Sequence, residues 1–170
     1  MKRLGGDILI RPFSEDQLNP NSYNLRLAQD FIRYRPSDTL DLRKPADGEH
    51  FVLREDEPYL LKPGELLLGQ TLEYTETHNL IPQIDGRSST ARLGLCIHQT
   101  GGFGDIGYCG TWTLEISCIV PIWIYPLAQI AQLSYHLPCG KIDRLYKGKY
   151  QGSQTTRTSE LHVEAPQSRV

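Results

Sequence analysis

The sequence predicts an all-β fold, a barrel or a pair of packed sheets with one or two short helices, and three observations carry that prediction. Apolar residues fall in short runs, punctuated by eleven prolines and fifteen glycines. Sustained helical periodicity is scarce. Residues 111–120 alternate like a strand, with Thr111, Thr113, Glu115 and Ser117 on one side and Trp112, Leu114, Ile116 and Cys118 on the other.

Taken in order, the strand-like runs are 23–27 (YNLRL), 51–53 (FVL), 66–70 (LLLGQ), 95–98 (LCIH), 111–120 and 130–133 (IAQL). Turn signals separate them at Asn19-Pro20-Asn21, Lys62-Pro63-Gly64, Gly101-Gly102, Gly107 and Pro126. Residues 87–94 (RSSTARLG) read differently. Ser88 or Ser89 can cap a helix, Ala91-Arg92-Leu93 can form one turn, and Gly94 can end it. Two hydroxyls and two guanidiniums at a helix start suit an anion, and equally suit a capped structural turn with surface arginines. From about Lys147 onward the chain is polar, which predicts either a frayed tail or a flap that orders over a ligand. No internal repeat or linker interrupts residues 1–170, so a single domain is expected, with 147–170 as its tail.

A chain of 170 residues with 39% hydrophobic and 22% charged residues is long enough for one core and has a soluble globular composition. No apolar run approaches 18 residues and Met1-Lys2-Arg3-Leu4-Gly5 does not resemble a leader, so neither membrane spanning nor secretion is expected. A net charge of −2 argues against a nucleic-acid surface. Cys96, Cys109, Cys118 and Cys139 contain no C-x-x-C pair and read as free thiols in a reducing cytoplasm, with Cys96 and Cys118 packed as small hydrophobes. His162-Val163-Glu164 spells the H-x-E of zinc-dependent nucleobase deaminases, but no P-C-x-x-C follows it. No zinc and no protein-bound metal is expected.

Six ordered blocks carry a resemblance: NPNSYNLRL (19–27), LKPGELLLGQTLEY (61–74), GRSSTARLGL (86–95), HQTGGFGDIGYCGTWTLEI (98–116), IAQL (130–133) and GKYQGSQ (148–154). Together they resemble the dCTP deaminase branch of the dUTPase superfamily. The resemblance implies a distorted jelly-roll fold, a homotrimer with active sites between subunits, and a C-terminal segment closing on the nucleotide. It implies dCTP or dUTP as substrate, accompanied by Mg²⁺.

Hydrolytic deamination at cytosine C4 without zinc needs a carboxylate that takes a proton from water and returns protons to the ring and the leaving amine. Glu115, flanked by Leu114 and Ile116, matches the family's general acid/base glutamate, and partial burial is expected to raise its pKa. The resemblance places Asp105 at the 3′-hydroxyl and the water that attacks the α-phosphorus, with Tyr108 against the deoxyribose. It assigns Arg87, Ser88 and Ser89 to the triphosphate, Arg92 to the neighbouring subunit's catalytic region, and Gln132 to supporting the site. Lys149 and Tyr150 belong to the closing tail, and Gly101 to the loop that positions the attacking water. His98 reads as a packed, hydrogen-bonded residue.

The chain departs from the family pattern at Gly101 (usually alanine), Gly104 (usually isoleucine) and Ser153 (usually glutamine). The two glycines predict a loop with less packing and more backbone freedom. At the pair that separates family members by product, this chain has Gly102-Phe103, resembling those that continue past dUTP. The expected activity is deamination of dCTP to dUTP and ammonia, continuing to dUMP and pyrophosphate. The alternatives are a dUTP diphosphatase without deaminase activity and a non-catalytic nucleotide-sensing protein.

Overall fold

The structure, a computed structural model, describes residues 2–4, 7–35, 37 and 39–164. Among these the chain forms fourteen strands. In order they are β1 (Lys2–Leu4), β2 (Ile8–Arg11), β3 (Tyr23–Arg26), β4 (Asp30–Arg33), β5 (Glu49–Val52), β6 (Tyr59–Leu61) and β7 (Leu67–Gln70). They continue with β8 (Tyr74–Thr77), β9 (Ile81–Gly86), β10 (Leu95–Cys96), β11 (Cys109–Gly110), β12 (Thr113–Cys118), β13 (Ile122–Ile124) and β14 (Gln129–His136). One short helix, α1 (Ser88–Ala91), and two 3₁₀ turns complete the described elements.

The strands make four sheets, ordered β1-β2-β8-β11, β10-β12-β7-β4-β5, β13-β6 and β3-β14-β9. Every pairing is antiparallel. None of the sheets closes on itself among the described residues, so the fold is a distorted jelly roll of packed open sheets rather than a barrel. Their inner faces share one core that includes Ile10, Leu25, Leu27, Phe31, Leu67, Leu114, Ile116 and Leu133. Burying each such side chain contributes about 1.5–3 kcal/mol. No described helix is long and apolar enough to cross a membrane.

The alternation in 111–120 survives as β12, where Leu114, Ile116 and Cys118 are buried and Thr113, Glu115 and Ser117 are half-buried. The strand is shorter than expected because other groups satisfy its leading amides. Thr111 N–H donates to the Ser153 carbonyl (2.8 Å) and Trp112 N–H to Thr71 Oγ1 (2.9 Å). The run 95–98 is cut to β10 because the chain then leaves that sheet for β9, where Ile84 N–H donates to the Gly102 carbonyl. On β10 Cys96 is exposed, not packed inside, since its side of this two-residue strand faces outward; Cys118 is buried as expected.

Neither serine caps α1. Arg87 holds the N-cap position without a side-chain cap bond, and Thr90 Oγ1 instead donates back to the Arg87 carbonyl (2.8 Å). Gly94 ends the turn with φ +78°, a conformation that favours glycine.

Candidate active site

Strand β12, the loop 101–105 and the segment 150–159 enclose a cavity of about 360 Å³. Glu115, Asp105, Gly101, Tyr108 and Tyr150 all line it, so five of the residues singled out in the sequence come together. Glu115 reaches the cavity because it lies on the side of β12 opposite the core residues Leu114 and Ile116. Gln99 clamps the preceding loop over it: its N–H makes a long contact to Glu115 Oε2 (3.4 Å), and its side-chain amide donates to Ser117 Oγ (2.9 Å). Burial pushes the Glu115 carboxyl above the ordinary glutamate value, and the Gln99 N–H and the nearby His98 pull only part of the way back. Asp105 is exposed, at the end of the loop. His98 is half-buried, but the expected hydrogen bonding is not seen: Nε2 lies 3.5 Å from Asp85 Oδ1, and the buried Nδ1 has no hydrogen-bond partner among the described residues.

The loop glycines differ from each other. A Cβ on Gly101 would meet only Glu115 Oε2, at 3.9 Å, so the space beside the carboxylate is open. Gly104 is the opposite case. A Cβ there would lie 2.4 Å from Trp112 Cη2 and 3.0 Å from the Pro82 carbonyl oxygen. The expectation of lost packing is therefore corrected at this position: the Trp112 indole fills the space a side chain would take. Trp112 is held by Nε1–H donation to Thr75 Oγ1 (2.8 Å), and its ring lies 4.6 Å from that of Tyr108. Tyr108 in turn donates its hydroxyl to the Thr111 carbonyl and meets the Tyr146 ring edge-on, and burial raises its pKa.

The polar segment after Lys147 forms a wall of the cavity. The Ser153 carbonyl accepts from both Thr111 N–H and Thr111 Oγ1 (2.8 and 3.2 Å). Thr156 is buried; its N–H donates to Asp30 Oδ2 (2.9 Å) and its hydroxyl to the Asp30 carbonyl (2.7 Å). Arg157 lines the cavity, donates to the Lys149 carbonyl (2.8 Å), pairs with Glu160 and lies over the Tyr150 ring. Trp112, Tyr146 and Arg157 were not anticipated. Trp112 reads as a core position from its alternation, and nothing in a polar tail distinguishes Arg157.

The remaining candidates lie apart from this cavity. Arg87 Nη1 donates to the Gln129 carbonyl (2.6 Å), and Gln132 joins the Gly86 carbonyl (3.1 Å) to Ser22 Oγ (3.2 Å), all on or beside the β3-β14-β9 sheet. Ser88, Ser89 and Arg92 are exposed around α1. Lys149 is not among the lining residues; it pairs with Glu164 (2.7 Å) and its ammonium lies 5.4 Å from the centre of the Tyr150 ring. Within one chain, the guanidinium and hydroxyl cluster and the carboxylate cavity do not share a pocket.

These features define an all-β protein with a half-buried carboxyl in a cavity walled by its own C-terminal segment. The model of the family described as dCTP deaminase-like matches residues 1–137, and the chain belongs to that family. It is 49% identical over 164 residues to a "dCTP deaminase, dUMP-forming" of Clostridium botulinum (strain Alaska E43 / Type E3), covering 96% of this chain and 94% of that one. A protein of the same name from Cytophaga hutchinsonii is 48% identical, with 95% and 92% covered. One from Leptospira biflexa is 49% identical, with 96% and 93% covered. The crystal structure of 2′-deoxycytidine 5′-triphosphate deaminase from Agrobacterium tumefaciens shares the fold, with a TM-score of 0.60 and 21% identity over 79% of this chain. The chain spans 44% of that longer one.

Proposed function

We propose that this chain is a dCTP deaminase that carries its substrate through to dUMP. The observation that supports it most is a half-buried carboxyl with a raised pKa, Glu115, in the same cavity as Asp105. The similarity to relatives named "dCTP deaminase, dUMP-forming" points the same way. In this reading Glu115 takes a proton from water as its oxygen adds to cytosine C4. It passes that proton to the ring nitrogen, then relays the proton of the new C4 hydroxyl to the amine as the C4–N bond breaks and ammonia leaves; dCTP and water give dUTP and ammonia. Asp105 orients a second water for attack at the α-phosphorus, so that dUTP and water give dUMP and pyrophosphate. A carboxyl with a raised pKa suits the first step, since it must both accept and donate a proton near neutrality.

No histidine or cysteine is among the cavity's lining residues, so zinc-type ligands are not gathered around Glu115. Magnesium prefers phosphate oxygens and enters with the triphosphate, and the lining offers oxygen donors of the same hard type in Asp105, Thr158 and Ser159. Arg87, Ser88, Ser89 and Arg92 serve the site from a neighbouring copy in a homotrimer, with Gln132 supporting them, which accounts for their distance from the cavity of their own chain. Tyr108 and Gly101 face the nucleotide, and Lys149 and Tyr150 belong to the segment that covers it. The four free thiols suit the cytoplasm.

The test is incubation with dCTP and with dUTP separately, resolving nucleotides by chromatography and measuring ammonia and pyrophosphate. dUMP from both substrates is expected. Accumulation of dUTP from dCTP without pyrophosphate would restrict the activity to deamination. Hydrolysis of dUTP without ammonia from dCTP would leave a dUTP diphosphatase. Asp105→Asn is expected to stop pyrophosphate release beyond its effect on nucleotide binding, measured by the same assay beside a binding titration.

A further inference from the structure

Outside the cavity, three side chains of metal-ligating type converge on the sheet that ends at β11. Glu76 on β8 and Cys109 on β11 are directly opposed across the antiparallel pair. His78 lies just past the end of β8, two residues after Glu76. Its Nε2 is 2.9 Å from Glu76 Oε1, and one ligand atom from each of the three residues lies within 4.8 Å of the others. We propose that Glu76, His78 and Cys109 form a zinc-binding site.

The donor set selects the metal. A thiolate, an imidazole and a carboxylate suit zinc, whereas magnesium and calcium take oxygen ligands almost alone. Ligand atoms around tetrahedral zinc are about 3.4 Å apart, so the present spread needs a closure of roughly 1.5 Å. The exposed side chain of His78 has the freedom to supply it. Three protein ligands leave the fourth position to water. Of the three ligands, His78 lines an open cleft of about 1020 Å³ that Asp105, Arg144 and Lys147 also border. No spacing template reveals this site, because its ligands come from strands far apart in sequence.

The site lies directly behind the anchor of the C-terminal segment. Cys109 N–H donates to Gln151 Oε1 (2.9 Å), and the Cys109 carbonyl accepts from Gly152 N–H (2.8 Å). Bound zinc would fix the strand from which that segment hangs.

Metal-free full-length protein titrated with Co²⁺ should give a thiolate-to-metal charge-transfer band, saturating at one equivalent per chain. Cys109→Ser should abolish the band. His78→Ala, at an exposed position, should weaken zinc at least about tenfold in competition with a chromophoric indicator. Zn²⁺ should raise the Tm of the wild type and neither variant. Wild-type protein that gives no band, or variants that bind as the wild type does, would overturn the proposal. Cys96→Ser and Cys139→Ser should bind as the wild type does, and loss of the band in either would also overturn it.

Discussion

At Glu115 the carboxyl faces a cavity on one side while its chain neighbours Leu114 and Ile116 enter the core on the other. Because burial raises its folded pKa above the unfolded value, the native state binds more protons between the two values. Stability therefore falls as pH rises through the folded pKa, and above that pKa the ionised side chain is a cost. Glu115→Gln is expected to slow ammonia release by about two to four orders of magnitude while raising Tm at neutral pH. The acid limb of kcat/KM for deamination should lie above the ordinary glutamate value. An ammonia-release assay, a thermal melt and a pH profile check all three. Gly104 and Trp112 form a complementary pair. Gly104→Ile alone should cost about 1–3 kcal/mol of stability through overpacking, and Trp112→Ala in the same chain should recover part of it. Equal losses with and without the tryptophan, in denaturant unfolding, would show that the two do not share the space.

Among the elements, the segment 153–157 is held by hydrogen bonds more than by apolar burial. Thr156→Val keeps the volume but removes the hydroxyl that donates to the Asp30 carbonyl, at a cost of about 1–2 kcal/mol. If docking of this wall supports nucleotide binding, KM for dCTP should rise by up to about thirtyfold with kcat less affected, as steady-state kinetics would show. The same segment explains what was and was not legible in the sequence. The alternation of 111–120 exposed β12 and the special position of Glu115, because one face of that strand is core. The short runs of β1, β2, β4, β6, β8, β9, β11 and β13 passed unnoticed, since two to six residues carry no clear period. The tail read as unstructured or as a flap because its partners, Asp30, Thr111 and Thr113, lie far away in sequence. Hydrophobic patterning does not report backbone bonds of that kind. Gly104 was misread for a related reason: its neighbour Trp112 is close only in the folded chain.

For the molecule as a whole, the separation of the Arg87–Arg92 cluster from the Glu115 cavity gives the proposed homotrimer a direct test. Glu115→Gln and Arg92→Ala chains, each inactive alone, should regain activity after co-refolding. Random mixing pairs an intact carboxylate with an intact neighbouring guanidinium at about a quarter of the sites. No recovery in mixtures verified as hetero-oligomers would place both residues in one chain's site. The bond between Thr156 and Asp30 spans 126 positions of sequence. Since a ribosome releases the chain from its N-terminus, all fourteen strands can be outside the exit tunnel while the cavity still lacks its last wall. If the cavity is the proposed active site, competence for chemistry arrives after the β-framework, and a chain cut short beyond β14 is expected to be idle.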